Sequence, residues 1–140
     1  MQHFLLPTRL LDWTDGALLA LYFAVRKAVV GEGKVSKQAV VWAIDPSSLN
    51  KRVLGWLTIA LPGWKEVQPW LPKDPYGAVL ARYPIAVDPV HVDVRLAMQR
   101  SHFTLFGSEK DGLRELARRR RVPGFLRRYR LQMRAAPMHC

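Results

Sequence analysis

Residues 2–24 read QHFLLPTRLLDWTDGALLALYFA, a stretch in which a polar segment leads directly into an apolar one. Pro7 fixes its own φ and disfavours helical backbone at Leu6. Residues 2–13 are therefore expected to form a loop or an extended segment. The change from polar to apolar composition then predicts a helix that begins near residue 15.

The predicted helix runs from about Asp15 to Val29 and has a broad apolar surface. Thr14 or Asp12 is expected to cap its first turn, and Asp15 is well placed for the positive end of the helix dipole. An apolar surface this broad implies deep burial against a sheet. The positions that share its main face are Leu18, Leu21, Tyr22, Val25 and Val29.

Further along the chain, short apolar runs alternate with turn signals. Residues 39–44 (AVVWAI) are a continuous apolar and β-branched run, which is typical of a buried strand. Asp45 and Pro46 end this run and favour the start of a short helix. The expected fold class is α+β, with a central mixed sheet and one deeply buried helix. Other expected elements are strands within 78–87, 101–106 and 125–133 and a basic helix at 113–121.

The basic charge of the chain is concentrated near its end. The chain has 140 residues and a formal net charge of +11, and residues 114–134 contain nine arginines but one acidic residue. A hydrophobic fraction of 49% is sufficient for a packed core. We therefore expect a globular part at 1–112 and a basic tail at 113–140, with a short helix and a strand in the tail.

The sequence has no feature of secretion or membrane insertion. Its first residues show no basic segment followed by an apolar run and a cleavage site, so no signal peptide is expected. The most apolar stretch, Ala17–Val30, is short for a bilayer span and contains Arg26 and Lys27. Cys140 is the single cysteine, which favours a reducing compartment. We expect a cytoplasmic protein with no membrane partner.

Two stretches resemble the FRG domain family, which occurs in bacterial, phage and mobile-element proteins. Residues 2–14, continued by 17–24, resemble its central motif, and residues 95–104 (RLAMQRSHFT) resemble its second motif. The resemblance extends over about residues 2–107. The aromatic-Arg-Gly motif that names the family is absent from this chain. The chain therefore resembles the carboxy-terminal part of an FRG domain, and by itself is expected to be inactive.

The order of motifs in the FRG family is similar to that of ADP-ribosyltransferases. The resemblance therefore implies an NAD-binding, ADP-ribosyltransferase-like domain that acts in bacterial stress or phage defence. A standard Rossmann or P-loop site is not supported, because the glycine-rich motifs of both are missing. The histidines at 3, 91, 102 and 139 show no spacing typical of a metal site, so no metal is expected.

Polar residues ahead of the predicted helix form the candidate dinucleotide site. A helix start offers free backbone N–H groups, and the planar fork of Arg9 suits a pyrophosphate. Trp13 suits stacking on nicotinamide or adenine. A structural alternative is that Asp12 pairs with Arg9 and caps the helix while Trp13 is buried. The predicted cofactor-binding residues are Arg9, Asp12, Trp13, Thr14 and Arg95.

Two residues, His3 and Gln99, are the candidates for catalysis. His3 is expected to act as a general base or to contact a ribose, with a hydrogen-bonded structural histidine as the alternative. Gln99 lies four residues after Arg95, on the same face of a predicted helix, and can orient a ribose hydroxyl. Glu109 is the nearest acid, and His102 completes this second polar cluster.

The arginine-rich tail suggests an alternative, non-enzymatic function as a binding module. Arginines of this density can contact the phosphates of a nucleic acid or an acidic protein. Phe125 and Tyr129 supply aromatic rings that can stack on bases. A solvated basic face is the structural alternative. The arginines of this candidate surface are Arg118, Arg119, Arg120, Arg121, Arg127, Arg128 and Arg130.

Overall fold

The computed structural model of the chain describes residues 8–26, 39–73, 79–88, 101–118 and 124–131. Helices and short antiparallel strands share these residues, which confirms the predicted α+β class. In chain order the elements are β1 (Leu10–Thr14), α1 (Ala17–Val25), β2 (Ala39–Ile44), α2 (Pro46–Val53), a short 3₁₀ helix (Lys65–Trp70), β3 (Ile85–Val87), β4 (Ser101–Leu105), α3 (Gly112–Arg118) and β5 (Leu126–Leu131).

The strands form two separate sheets. The first has three strands in the order β1-β4-β3, and the second, here called the β2-β5 ribbon, has two. Trp13 of β1 lies opposite His102 of β4, and Ala86 of β3 lies opposite Thr104. All of these strand pairs are antiparallel. Among the described residues, the prediction of one central mixed sheet is therefore wrong.

A hydrophobic cluster lies on each face of the three-stranded sheet. Successive side chains of a strand point to opposite faces, so Phe103 and Leu105 share one face while Thr104 points to the other. Phe103 and Leu105 pack against the first cluster. The first cluster consists of Ala60, Val67, Trp70, Ala81, Ile85 and Val87, and the second of Leu49, Ala86, Leu113, Leu116 and Phe125.

Asn50 joins α2 to the outer edge of β3. Its buried side chain donates from Nδ2 to the carbonyls of Thr58 (2.7 Å) and Ala86 (2.9 Å), and Oδ1 accepts from the Ala86 N–H (2.7 Å). Ala60 also lies along this edge, because its N–H donates to the Ala86 carbonyl at 3.2 Å and its carbonyl accepts from the Asp88 N–H at 3.0 Å. The buried amide is therefore satisfied.

α2 begins where the sequence predicts. Oδ2 of Asp45 accepts from the Ser48 hydroxyl at 2.7 Å, and Oδ1 accepts from the Ser48 N–H at 3.1 Å. These two hydrogen bonds, in that order, hold the pKa of Asp45 below its ordinary value of 3.8. β2 also has the predicted bounds, but its predicted burial is wrong at Trp42 and Ala43, which are exposed.

α1 departs most from its prediction. None of its nine residues is buried, and the side chain of Leu18 is 82% exposed, so the predicted deep burial is wrong. The physical reason is that residues of α2, α3 and the 3₁₀ helix already form the clusters on both faces of the three-stranded sheet. α1 lies beside β1 and β2 instead.

The predicted helix cap is also wrong. The residue that precedes the first turn of α1 is Gly16, and no side-chain hydrogen bond caps that turn. The Thr14 hydroxyl accepts from the Gly16 N–H at 3.1 Å, one residue before the helix begins. Asp12 lies inside β1, two residues further away. Because β1 continues to Thr14, neither predicted side chain reaches the N–H groups of the first turn.

The carboxy-terminal stretch contributes to the core. Phe125 is 1% exposed and packs in the same cluster as Leu113 and Leu116. The guanidinium of Arg52 lies 4.9 Å from the centre of the Phe125 ring. β5 then pairs with β2 over six residues. A domain boundary at residue 112 stays a prediction, and the described residues on both sides of it pack together.

Candidate functional site

A cavity of about 570 Å³ lies between the three-stranded sheet and the β2-β5 ribbon. One wall carries Trp13 and Thr14 of β1 together with Thr104 of β4, and the opposite wall carries Trp42 of β2 and Tyr129 of β5. α1 closes one side with alanines of its first turns. The volume falls within the range of about 300–1,000 Å³ that is typical of small-molecule sites.

Polar side chains form a row across one wall of this cavity. Trp13 and His102 are direct partners in the β1-β4 register, and Asp88 directly follows β3 on the far side of β4. Nδ1 of His102 lies 2.7 Å from Oδ1 of Asp88. Because a carboxylate accepts, this contact places the imidazole proton on Nδ1. The His102 side chain is 43% exposed, so it can reach a molecule in the cavity.

A buried hydroxyl fixes the orientation of the Trp13 indole. Nε1 of Trp13 donates to Oγ1 of Thr104 at 2.6 Å, and Thr104 is 1% exposed. The two residues are on adjacent strands, because Thr104 pairs with Leu11 in the register. Trp13 is half-buried and also packs against the second cluster, so the indole is rigid and only the part of it that lines the cavity can contact a ligand.

The charge of the cavity wall is acidic within the described residues. Asp15 and Asp88 line the cavity, and no lysine or arginine is among its described lining residues. Carboxylates accept hydrogen bonds from hydroxyl groups, so this wall suits the hydroxyls of a ribose. It does not suit a pyrophosphate, which needs cations or free N–H groups.

The predicted cofactor-binding and catalytic residues do not all lie at this cavity. Trp13 and Thr14 line the cavity, as a ligand site requires. Arg9 does not: its Nη1 donates to the carbonyl of Phe106 at 3.3 Å, and no hydrogen bond or ion pair joins it to Asp12. The proposed Arg9–Asp12 pairing is therefore wrong. His3, Arg95 and Gln99 lie outside the described residues.

Asp12 lines a second cavity, of about 430 Å³, which shares the side chains of Trp13 and Trp42 with the first. Lys110 and Arg114, from the region of α3, lie on the same wall as Asp111. This cavity is therefore of mixed charge, in contrast to the first. Asp12 is exposed, and it occupies the face of β1 opposite to Trp13 in the strand alternation.

Sequence reasoning missed Asp88 and Trp42 as site residues, assigned Tyr129 to a nucleic-acid surface only, and placed His102 in the second polar cluster without a catalytic role. Asp88 ends an apolar run and His102 begins one, which is a weak signal that two polar groups meet at the end of paired strands. Trp42 and Tyr129 come from the other sheet, and only the packing of the two sheets brings them to the cavity.

Three of the predicted tail arginines lie on the β2-β5 ribbon. Arg127, Arg128 and Arg130 are exposed, and the guanidinium of Arg128 lies 5.8 Å from the centre of the Trp42 ring. Tyr129 is 49% exposed on the same strand. Arg118 is exposed at the end of α3. The remaining predicted arginines, Arg119, Arg120 and Arg121, lie outside the described residues.

Within the part of the chain that the structure describes, no group of three or more His, Cys, Asp and Glu side chains is arranged to hold a metal ion. None of the helices described there combines the length and the apolar character that crossing a bilayer requires.

Comparison with known proteins gives one match. The sequence model of the FRG domain matches residues 1–32, which include β1 and α1. The predicted resemblance to this family is confirmed for that stretch, but the match is much shorter than the predicted extent of 2–107. The stretch at 95–104 lies outside it. No curated protein and no solved structure matches the chain.

Proposed function

We propose that this chain binds a nucleoside-containing ligand, with NAD as the first candidate, in the cavity between the two sheets. The observation that supports the proposal is the combination of a fixed Trp13 indole and a His102–Asp88 pair on one wall of a cavity of about 570 Å³. The stretch that matches the FRG domain supplies the first part of this wall, from Trp13 to Ala20.

The shape and chemistry of the wall favour the nucleoside half of such a ligand. Trp13, Trp42 and Tyr129 are among the residues that line the cavity, and planar bases stack well on aromatic rings. Asp88, whose Oδ1 contacts His102, can accept from a ribose hydroxyl at Oδ2, and Asp15 adds a second carboxylate to the lining. The described wall has no cation for the pyrophosphate, so the proposal assigns to the cavity a nucleoside and leaves the phosphates outside it.

Calorimetry with this chain tests the proposal, with NAD, adenosine and nicotinamide riboside as titrants. Trp42→Ala is expected to weaken binding about 10-fold or more, because stacking of a base on an aromatic ring is worth about 1–3 kcal/mol. Trp56→Ala is the matched control, because Trp56 is similarly exposed, at 38%, and stacks on Trp64 outside the cavity. We expect the ligand affinity of the Trp56→Ala variant to stay within about twofold of that of the unchanged chain.

Two results would contradict the proposal. Absence of binding to all three titrants at millimolar concentration would exclude the nucleoside site. Equal weakening by Trp42→Ala and Trp56→Ala would show that the loss is not specific to the cavity.

The β2-β5 ribbon favours a second function, the binding of single-stranded nucleic acid. Each face of the ribbon combines exposed arginine with an exposed aromatic side chain, Arg128 and Arg130 with Trp42 on one face and Arg127 with Tyr129 on the other, which is the composition of a stacking surface with phosphate contacts. Each arginine that contacts a phosphate contributes about −0.7 to the slope of log K against log salt concentration.

Replacement of the three ribbon arginines by glutamine is therefore expected to make this slope shallower by about 2, as measured by fluorescence anisotropy with a labelled oligonucleotide. The matched control replaces three charges elsewhere on the exposed surface, at Lys51, Lys65 and Lys73. An unchanged affinity and slope after the ribbon replacement would rule out this surface.

A further inference from the structure

The His102–Asp88 pair has the geometry of a general base and a carboxylate that orients it. We propose that His102 accepts a proton from water during cleavage of the nicotinamide–ribose bond of NAD, and that Asp88 is its positioning residue. This inference rests on the proposed function, because it requires the nucleoside to occupy the cavity, and it departs from the expectation that this chain alone is inactive.

The hydrogen bond defines which ring nitrogen is available. Nδ1 of His102 lies 2.7 Å from Oδ1 of Asp88, so Nδ1 is the donor, and Nε2 is the nitrogen that carries the lone pair in the neutral ring. Among the described residues, no protein group is hydrogen-bonded to Nε2. A carboxylate that holds the tautomer in this way also stabilises the imidazolium that forms when Nε2 accepts a proton.

The register places this base beside the stacking surface. Trp13 and His102 lie directly opposite each other on adjacent strands, where the Cβ atoms of partners are about 4.5–5.5 Å apart. The Trp13 indole is held by Thr104, so a ring that stacks on it lies next to the imidazole. The proposal places the attacking water between the imidazole and the ribose, at hydrogen-bond distance from Nε2.

The proposed step balances in atoms and charge. The water oxygen forms a bond to the ribose C1′ while its proton passes to Nε2 of His102. The electron pair of the broken C1′–N bond goes to the nicotinamide ring nitrogen and neutralises its positive charge. The products are nicotinamide, ADP-ribose and a proton that His102 later releases to solvent. No oxidant or further reactant is needed.

A structural ion pair is the competing interpretation of the same contact. The two side chains are 43% and 33% exposed, and exposed ion pairs contribute little to stability. The two interpretations predict different results, because a structural pair affects the melting temperature and not the rate of a reaction.

The test uses the whole chain and measures nicotinamide release, NAD affinity by calorimetry and the melting temperature. His102→Gln is expected to lower the rate constant kcat about 10²- to 10⁴-fold, with an NAD affinity within about threefold of the unchanged chain. Asp88→Asn is expected to lower kcat with little change in KM. Added imidazole is expected to restore part of the activity of His102→Ala. Asp111→Asn is the matched control, because this carboxylate is exposed and lies outside the cavity.

The outcomes separate the two proposals. NAD binding without nicotinamide release by the unchanged chain would overturn the assignment of His102 and leave the nucleoside site standing. Equal rates for the unchanged chain and His102→Gln would overturn it as well. Absence of NAD binding in calorimetry would remove this inference, and absence of binding to adenosine and nicotinamide riboside as well would remove the proposed function.

Discussion

The three-stranded sheet and the β2-β5 ribbon differ in how their side chains are covered. The sheet has a hydrophobic cluster on each face, and all three residues of β3 are buried. On the ribbon, Trp42 and four consecutive residues of β5 are exposed. The candidate cavity lies between these two regions. Its acid–base groups therefore lie on the well-packed side, and two of its aromatic lining residues lie on the exposed side.

The largest expected loss of stability in the three-stranded sheet comes from removing the Asn50 amide, which joins α2 to β3. Asn50→Ala deletes three hydrogen bonds and leaves the buried N–H of Ala86 without its Oδ1 partner. We expect a loss of about 4 kcal/mol in the free energy of unfolding, measured by urea denaturation. Gln68→Ala, which removes an exposed amide, should change it by less than about 0.5 kcal/mol. Similar losses for the two variants would contradict the role of Asn50.

Truncation of one large side chain in each region compares them directly. Ile85 of β3 is fully buried, and Ile85→Ala is expected to cost about 3 kcal/mol in the free energy of unfolding. Leu18 of α1 is 82% exposed, so Leu18→Ala should change the same quantity by less than about 0.5 kcal/mol. A large loss for Leu18→Ala would show that α1 is buried against something in solution.

The turn after β4 tests how closely the backbone packs beside the three-stranded sheet. A Cβ atom at Gly107 would lie 2.4 Å from the Ala81 carbonyl oxygen and 2.6 Å from that of Arg82. These carbonyls accept hydrogen bonds from the N–H groups of Ser108 and Glu109, so moving them away from a new Cβ would weaken those bonds. Gly107→Ala is expected to lower the melting temperature, with a loss of about 2 kcal/mol.

Gly63→Ala is the matched control for Gly107. A Cβ atom added at Gly63 would meet no atom within 4 Å, and Gly63 is exposed. We expect its melting temperature to stay within a few degrees of the unchanged chain. A normal melting temperature for Gly107→Ala would contradict the close approach of the two backbone segments.

The smallest expected effect is at the junction of the ribbon with α2. Asp45→Ala removes the helix cap and should cost about 1 kcal/mol at neutral pH, measured by urea denaturation. The hydrogen bonds to Ser48 lower the pKa of Asp45 in the folded chain, so its contribution is present above pH 3.8 and is lost as the pH falls through the lowered value. Asp45→Asn keeps a cap and should remove this part of the pH dependence.

Local patterns predicted the elements whose signals are complete within a few residues. The strand at 39–44, the Asp45 cap and the strand that begins at Ser101 were all predicted, because an apolar run or a capping side chain specifies them without distant partners. The burial of α1 was predicted wrongly. Its apolar composition is compatible with burial, but the sheet faces are already occupied by residues from α2, α3 and the 3₁₀ helix.

The candidate site was predicted in part for the same reason. Trp13 and Thr14 were placed at a ligand site and do line the cavity. Asp88 and His102 are fourteen positions apart and meet only through the β3-β4 register, which no local pattern reports. Arg9 donates to the carbonyl of Phe106, a residue 97 positions away, so no local pattern could predict this partner either.

The hydrogen bonds around Ala86 also affect the association of this chain with other chains. The edge of a sheet presents free N–H and C=O groups that can recruit a foreign strand and start aggregation. On β3, the amide of Asn50 and the backbone of Ala60 already bond to that edge. Intermolecular strand addition is therefore blocked on this side of the sheet, and Asn50 protects the chain against self-association as well as against unfolding.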